Sequence, residues 1–177
     1  MHIMSGRIDT ATQLINTHFP AVLEDSDHYD SQPVLPIVDR LRSFSQVSLK
    51  PIHVALNLRI LAFIEAARTK PLPYPSDPLR SSISTLTDYS SDAYSAHQTR
   101  LLHLAQRLYA SVESLQCHRD RERYREELQG VGGLLAYRVP EESSMAIYLS
   151  MERREAVANQ VNSAIQRKRF SASKIKL

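Results

Sequence analysis

Apolar positions in this chain recur every three or four residues, and no segment shows the strict alternation with polar residues that a strand requires, so the pattern predicts an all-α protein. Residues 7–18, RIDTATQLINTH, place Ile8, Ala11, Leu14 and Ile15 on one helical face and Asp9, Gln13 and Asn16 on the other. Pro20 suits the first turn of a short second helix, PAVLED, whose Val22 and Leu23 would cover the first. Residues 26–50 then read as a long loop with one helical turn around PIVDRL. Helix resumes at Pro51, where PIHVALNLRILAFIEAARTK is apolar at Val54, Leu58, Leu61 and Ile64 and again at Leu56, Ile60 and Phe63. A stripe that wide predicts burial on more than one side.

Between 71 and 99 the chain changes character. Pro71, Pro73, Pro75 and Pro78 precede a Ser/Thr-rich stretch, a linker composition that separates two helical halves, 1–70 and 100–166. The PxxP spacing in PLPYPSDP suits an aromatic groove, but composition alone accounts for it. The second half opens with LLHLAQRLYASVESL, where Leu101, Leu104, Leu108, Val112 and Leu115 form a stripe. In the next helix Tyr124, Leu128, Val131 and Leu135 do the same, with opposite charges three or four apart on the outer face. Pro140 is expected to stop that helix, and Ser150 to cap a last one with Val157, Val161, Ala164 and Ile165 inward.

Composition narrows the function. The longest apolar run, ILAFIEAA, is broken by Glu65 and is far shorter than the roughly 20 residues of a spanning helix, so a soluble protein is expected. The single Cys117 allows no internal disulfide and gives no zinc spacing, which points to a packed thiol in a reducing cytoplasmic or nuclear setting. The sequence pI near 9.1 suggests nucleic acid, yet the charge is unevenly placed. Residues 167–177 hold five of the 22 Lys and Arg and none of the 19 Asp and Glu, leaving 17 basic against 19 acidic groups elsewhere. Only that basic tail offers phosphate contacts, so a nucleic-acid adaptor is the alternative reading.

Candidate chemistry is sparse. Gly130, Gly132 and Gly133, three of the four glycines, follow a charged helix rather than a strand and meet neither the Rossmann nor the Walker spacing. Close helix packing is the expected reason for all three. The histidines include no HExxH, the grouping of His103, Cys117 and His118 lacks a zinc first shell, and no GxSxG motif is present. Asp120, Glu122, Glu126 and Glu127 sit among as many arginines and read as a solvated face. No cofactor, metal or catalytic residue is expected.

Two longer stretches carry a family resemblance. SGRIDTATQLINTHFPAVLE with ALNLRILAFIEAAR resembles the CTLH motif, and LLHLAQRLYASV with REELQGVGGLLAYRVPEESSMAIYLSMERREAVANQVNSAI resembles the first part of a CRA domain. The segments LLAY and VP, then NSAI, are its most specific part. Together they are similar to the C-terminal region of the RanBPM-like, SPRY-containing scaffold subunits of the GID/CTLH ubiquitin ligase. That resemblance implies one all-α module without an active site, binding CTLH/LisH-type and RING-type subunits in a hetero-oligomer, in cytoplasm and nucleus. No SPRY domain or LisH motif stands ahead of Gly6, the insertion at 26–50 separates the CTLH helices, and the CRA-like part runs early into the basic tail. In this family LisH and the end of CRA share one dimer contact, so the contact expected here is that of the CTLH and first CRA helices. Its candidate residues are Leu58, Leu61, Phe63, Ile64, Leu101, Leu104, Leu108, Leu128 and Leu135, each of which also fits an intradomain core.

Overall fold

The structure, a computed structural model, describes residues 1–24, 48–70 and 91–174. Its elements are α1 (Ile8–His18), α2 (Pro51–Ala67), α3 (Ser91–Glu113), α4 (His118–Gly132) and α5 (Met151–Lys174), with 3₁₀ turns at Pro20–Val22, Gly133–Ala136, Pro140–Glu142 and Ser144–Leu149. The described residues contain no strand, and the chain is all-α. The loop at 26–47 with its PIVDRL turn, the PxxP segment and the linker as far as residue 90 lie outside the described residues.

The helices divide into two compact units, one formed by Met1–Leu61 with Glu152–Leu177, the other by Ala62–Met151. In the first, the N-terminal turn closes through Gly6, whose φ of 74° lies in the left-handed region open to glycine, and the chain then enters α1. Ile8, Ala11 and Ile15 are buried as expected, but Leu14 is 40% exposed. It lies roughly 60° beyond Ala11 on the helical wheel, outside the arc that the core covers. The second helix expected at PAVLED is a single 3₁₀ turn that buries Val22.

α5 is the spine of this unit. Its Val157, Val161 and Ala164 are buried, and its polar side chains reach four residues elsewhere in the unit. The Arg154 guanidinium donates to the Met4 carbonyl at 2.9 Å, and the Asn57 amide of α2 donates to Gln160 at 2.9 Å. Gln160 in turn donates to the Ser48 carbonyl at 2.8 Å, and Arg169 stacks over the Phe19 ring, 5.4 Å from its centroid. Asn57 is fully buried, so this bond fixes the register of α2 against α5 where apolar packing alone would tolerate sliding.

In the second unit α3 packs on α4, and α4 packs on the 3₁₀ turns that follow it. Leu101, Leu108, Val112, Leu115, Tyr124, Leu128, Val131, Leu134 and Leu149 are the buried apolar residues of this unit, together with Phe63, Ile64 and Ala67 from the end of α2. Two boundaries differ from expectation. α3 begins at Ser91, so the last part of the Ser/Thr-rich stretch is already helical. α4 ends at Gly132 rather than at Pro140, because the backbone tightens there into 3₁₀ turns, and Pro140 opens one of them.

Candidate interaction surface

The sequence pointed to nine apolar residues as contact candidates, and in the folded chain they are core or core edge. Leu58, Leu61, Phe63, Ile64, Leu101, Leu108 and Leu128 are buried, and Leu104 and Leu135 are half-buried. Leu61 of α2 has no exposed surface, so a partner reaches it only if the fold opens. The glycines separate by position. A Cβ on Gly130 would stand 2.0 Å from the Tyr148 hydroxyl oxygen and one on Gly133 2.9 Å from the Met145 sulfur, whereas Gly132 has nothing within 4 Å. At Gly130 and Gly133 the close neighbour is a side chain of the 3₁₀ segment, and Gly132 has no packing neighbour that would exclude a methyl group.

His103, Cys117 and His118 are all exposed. Cys117 is therefore not the packed thiol expected of it. It occupies the N-cap of α4, in the short connection from α3, where the chain turns at the surface. Among the described residues no group of His, Cys, Asp or Glu is arranged to hold a metal ion, and no helix is long and apolar enough to cross a membrane.

The end of α2 is held by a polar clamp that the sequence did not reveal. Arg68 pairs with Glu65 at 3.1 Å, both side chains being nearly buried, and donates to the Leu149 carbonyl at 2.6 Å. One carboxylate, Glu141, accepts from the Thr69 amide, the Thr69 hydroxyl and the Lys70 amide, each at 2.7 Å, while the Lys70 ammonium pairs with Glu142. Burial favours the neutral acid at Glu141, but these hydrogen bonds outweigh it and hold its carboxyl below the ordinary glutamate value. The orphan backbone donors beyond the helix end thus find partners about seventy residues downstream, a pairing that local periodicity cannot encode.

What faces solvent is a different set of apolar groups. On α3, Leu102 is 52% and Tyr109 41% exposed, and the described side chains from Ser95 to Arg100 are all exposed. Tyr137 and Ile147 on the 3₁₀ segments are exposed as well. Leu102 and Tyr109 are i and i+7 neighbours that follow the buried Leu101 and Leu108 in the chain and so lie about 100° round the helix from them, a spacing that was available in the sequence.

These features describe an all-helical module whose α3 is covered along only one stripe. The family model of the CTLH/CRA C-terminal to LisH motif domain matches residues 1–169, and the chain belongs to that family. CTLH domains are protein–protein interaction modules, and that is the class of function the membership supports. No curated protein and no solved structure matches the chain.

Proposed function

We propose that this chain is a non-catalytic scaffold of the RanBPM type that binds LisH/CTLH-type and RING-type subunits of a GID/CTLH-type ubiquitin ligase through helix packing, in cytoplasm and nucleus. The family match carries the proposal, because it spans both the CTLH-like and the CRA-like stretches rather than one motif. The burial of the leucine candidates moves the expected contact onto side chains that stay outside, Leu102 and Tyr109 among them. A scaffold needs only such a surface and a rigid core behind it.

The test is affinity capture with the tagged chain from a eukaryotic extract, at moderate and at high salt, with retained proteins identified by mass spectrometry. Salt-resistant recovery of LisH/CTLH or RING subunits is expected. Recovery of salt-labile nucleic acid alone would overturn the scaffold reading in favour of an adaptor acting through the basic tail, since phosphate contacts weaken steeply with salt.

A further inference from the structure

The charge at the end of α5 has one sign. No Asp or Glu follows Glu155, whereas Arg167, Lys168, Arg169, Lys174 and Lys176 do. α4 differs, because its arginines alternate with Asp120, Glu122, Glu126 and Glu127 and opposite signs cancel along it. Ala164 is the last buried side chain of α5 among the described residues, and the helix runs on to Lys174, about 15 Å further. On that extension Phe170 is 72% exposed, more than any other large apolar side chain among the described residues except Met1. Arg167 precedes Phe170 by three residues and Lys174 follows it by four, so the three positions share one face within roughly 60° of the helical wheel. The buried Val157, Val161 and Ala164 occupy another arc, centred roughly 110° away. Arg169 lies off the face of Phe170 and stacks over Phe19, which ties the extension to the residue that follows α1.

We propose that this extension is a peripheral contact for an anionic phospholipid surface, with Phe170 entering the headgroup layer and Arg167 and Lys174 beside it meeting the phosphates. The proposal is independent of the scaffold reading. Charge complementarity carries it: five cations stand without a carboxylate among them, and each cation near an anionic leaflet strengthens binding about fivefold. The exposed ring between two of them supplies the apolar insertion that headgroup attraction alone lacks. A nucleic-acid strand would use the same cations. Ile175 and Leu177, the other bulky apolar residues of the stretch, are aliphatic, however, and offer no flat face on which a base stacks, whereas acyl chains accept them.

The experiment is co-sedimentation of the full chain with phosphatidylcholine vesicles, with and without phosphatidylserine, at low and high salt, with a labelled single-stranded RNA titrated in parallel. Sedimentation that depends on phosphatidylserine and falls with salt is expected. Arg167→Gln/Lys174→Gln should weaken it roughly thirtyfold at low salt, and Phe170→Ser should weaken it at both salt concentrations. Phe170 and Arg167 are exposed, so circular dichroism should show unchanged folding. No sedimentation, or equal sedimentation with and without phosphatidylserine, overturns the proposal. Retention of RNA without retention on vesicles also overturns it and assigns the cations to nucleic acid. Vesicle binding that is indifferent to Phe170→Ser removes the insertion and overturns the proposal as stated. Capture of ligase subunits by the Phe170→Ser chain reports on the scaffold reading separately.

Discussion

Helices α2 and α3 are both long and leucine-rich, yet the fold treats them in opposite ways. α2 is covered on nearly every side: Val54, Leu56, Leu58, Ile60, Leu61, Phe63 and Ile64 are all buried, a buried amide bond pins its middle, and the Glu141 clamp holds its end. α3 is covered along one stripe and leaves Leu102, Tyr109 and a run of polar side chains to solvent. The difference teaches where an interaction module keeps its stability and where it keeps its surface. A helix that is apolar all round has no face left to offer, whereas a narrow stripe leaves most of the helix free.

The sharpest way to break the contrast is to place a charge in α2. Leu61→Asp buries an unpaired carboxylate at a site with no solvent contact, and a loss of about 4 kcal/mol or more is expected, enough to abolish a cooperative melt. A variant that melts like the unaltered chain would show that α2 is not the buried helix described.

The clamp at the end of α2 sharpens the comparison at an intermediate magnitude. Glu141→Ala removes three hydrogen bonds to a half-exposed carboxylate and is expected to cost about 2 kcal/mol near neutral pH by chemical denaturation. The folded-state pKa of Glu141 lies below its unfolded value, so its stabilisation is complete above the ordinary 4.5 and is lost as pH falls through the depressed value. The stability difference between the two chains should therefore shrink in acid below 4.5. A difference independent of pH would show that the charge of Glu141 contributes nothing.

Much of α2 was legible in the sequence because its apolar stripe is too wide for any surface helix, and Ile8, Ala11 and Ile15 were legible because the period alone places them inward. The start of α3 at Ser91 was hidden by a Ser/Thr-rich composition that carries no apolar period. The 3₁₀ turns from Gly133 to Leu149 were hidden because pieces of three to six residues are too short to display one. The contact candidates were named from the strongest apolar signal, which is the signal of a core. The exposed pair Leu102 and Tyr109 gives a weaker signal, displaced from the main stripe, and the clamp depends on tertiary geometry between Thr69 and Glu141.

Two glycines of α4, the helix on which α3 rests, test its backing with opposite signs. Gly130→Ala drives a methyl group into the Tyr148 hydroxyl and is expected to cost about 1 kcal/mol net, the overpacking exceeding the gain in helix propensity. Gly132→Ala meets open space at an ordinary helical φ of −61° and is expected to stabilise by up to about 1 kcal/mol. Equal shifts in melting temperature for the two variants would remove Tyr148 as the reason for the glycine at 130.

The smallest stability effect is expected on the exposed edge of α3, and there it is most informative beside Leu61→Asp. Leu102→Asp makes the same chemical change on the other leucine-rich helix, at a side chain half in water, so the new carboxylate stays hydrated and the stability should move by no more than about 0.5 kcal/mol. If the scaffold contact uses this edge, its partner capture should nevertheless fall, because the substitution puts a hydrated charge where apolar contact area was. A large loss of stability would mean that Leu102 belongs to the core, and α3 would then have no apolar edge to offer. Unchanged stability with unchanged capture would separate exposure from recognition and move the contact to another surface, where Tyr137 and Ile147 are the next exposed apolar side chains to substitute.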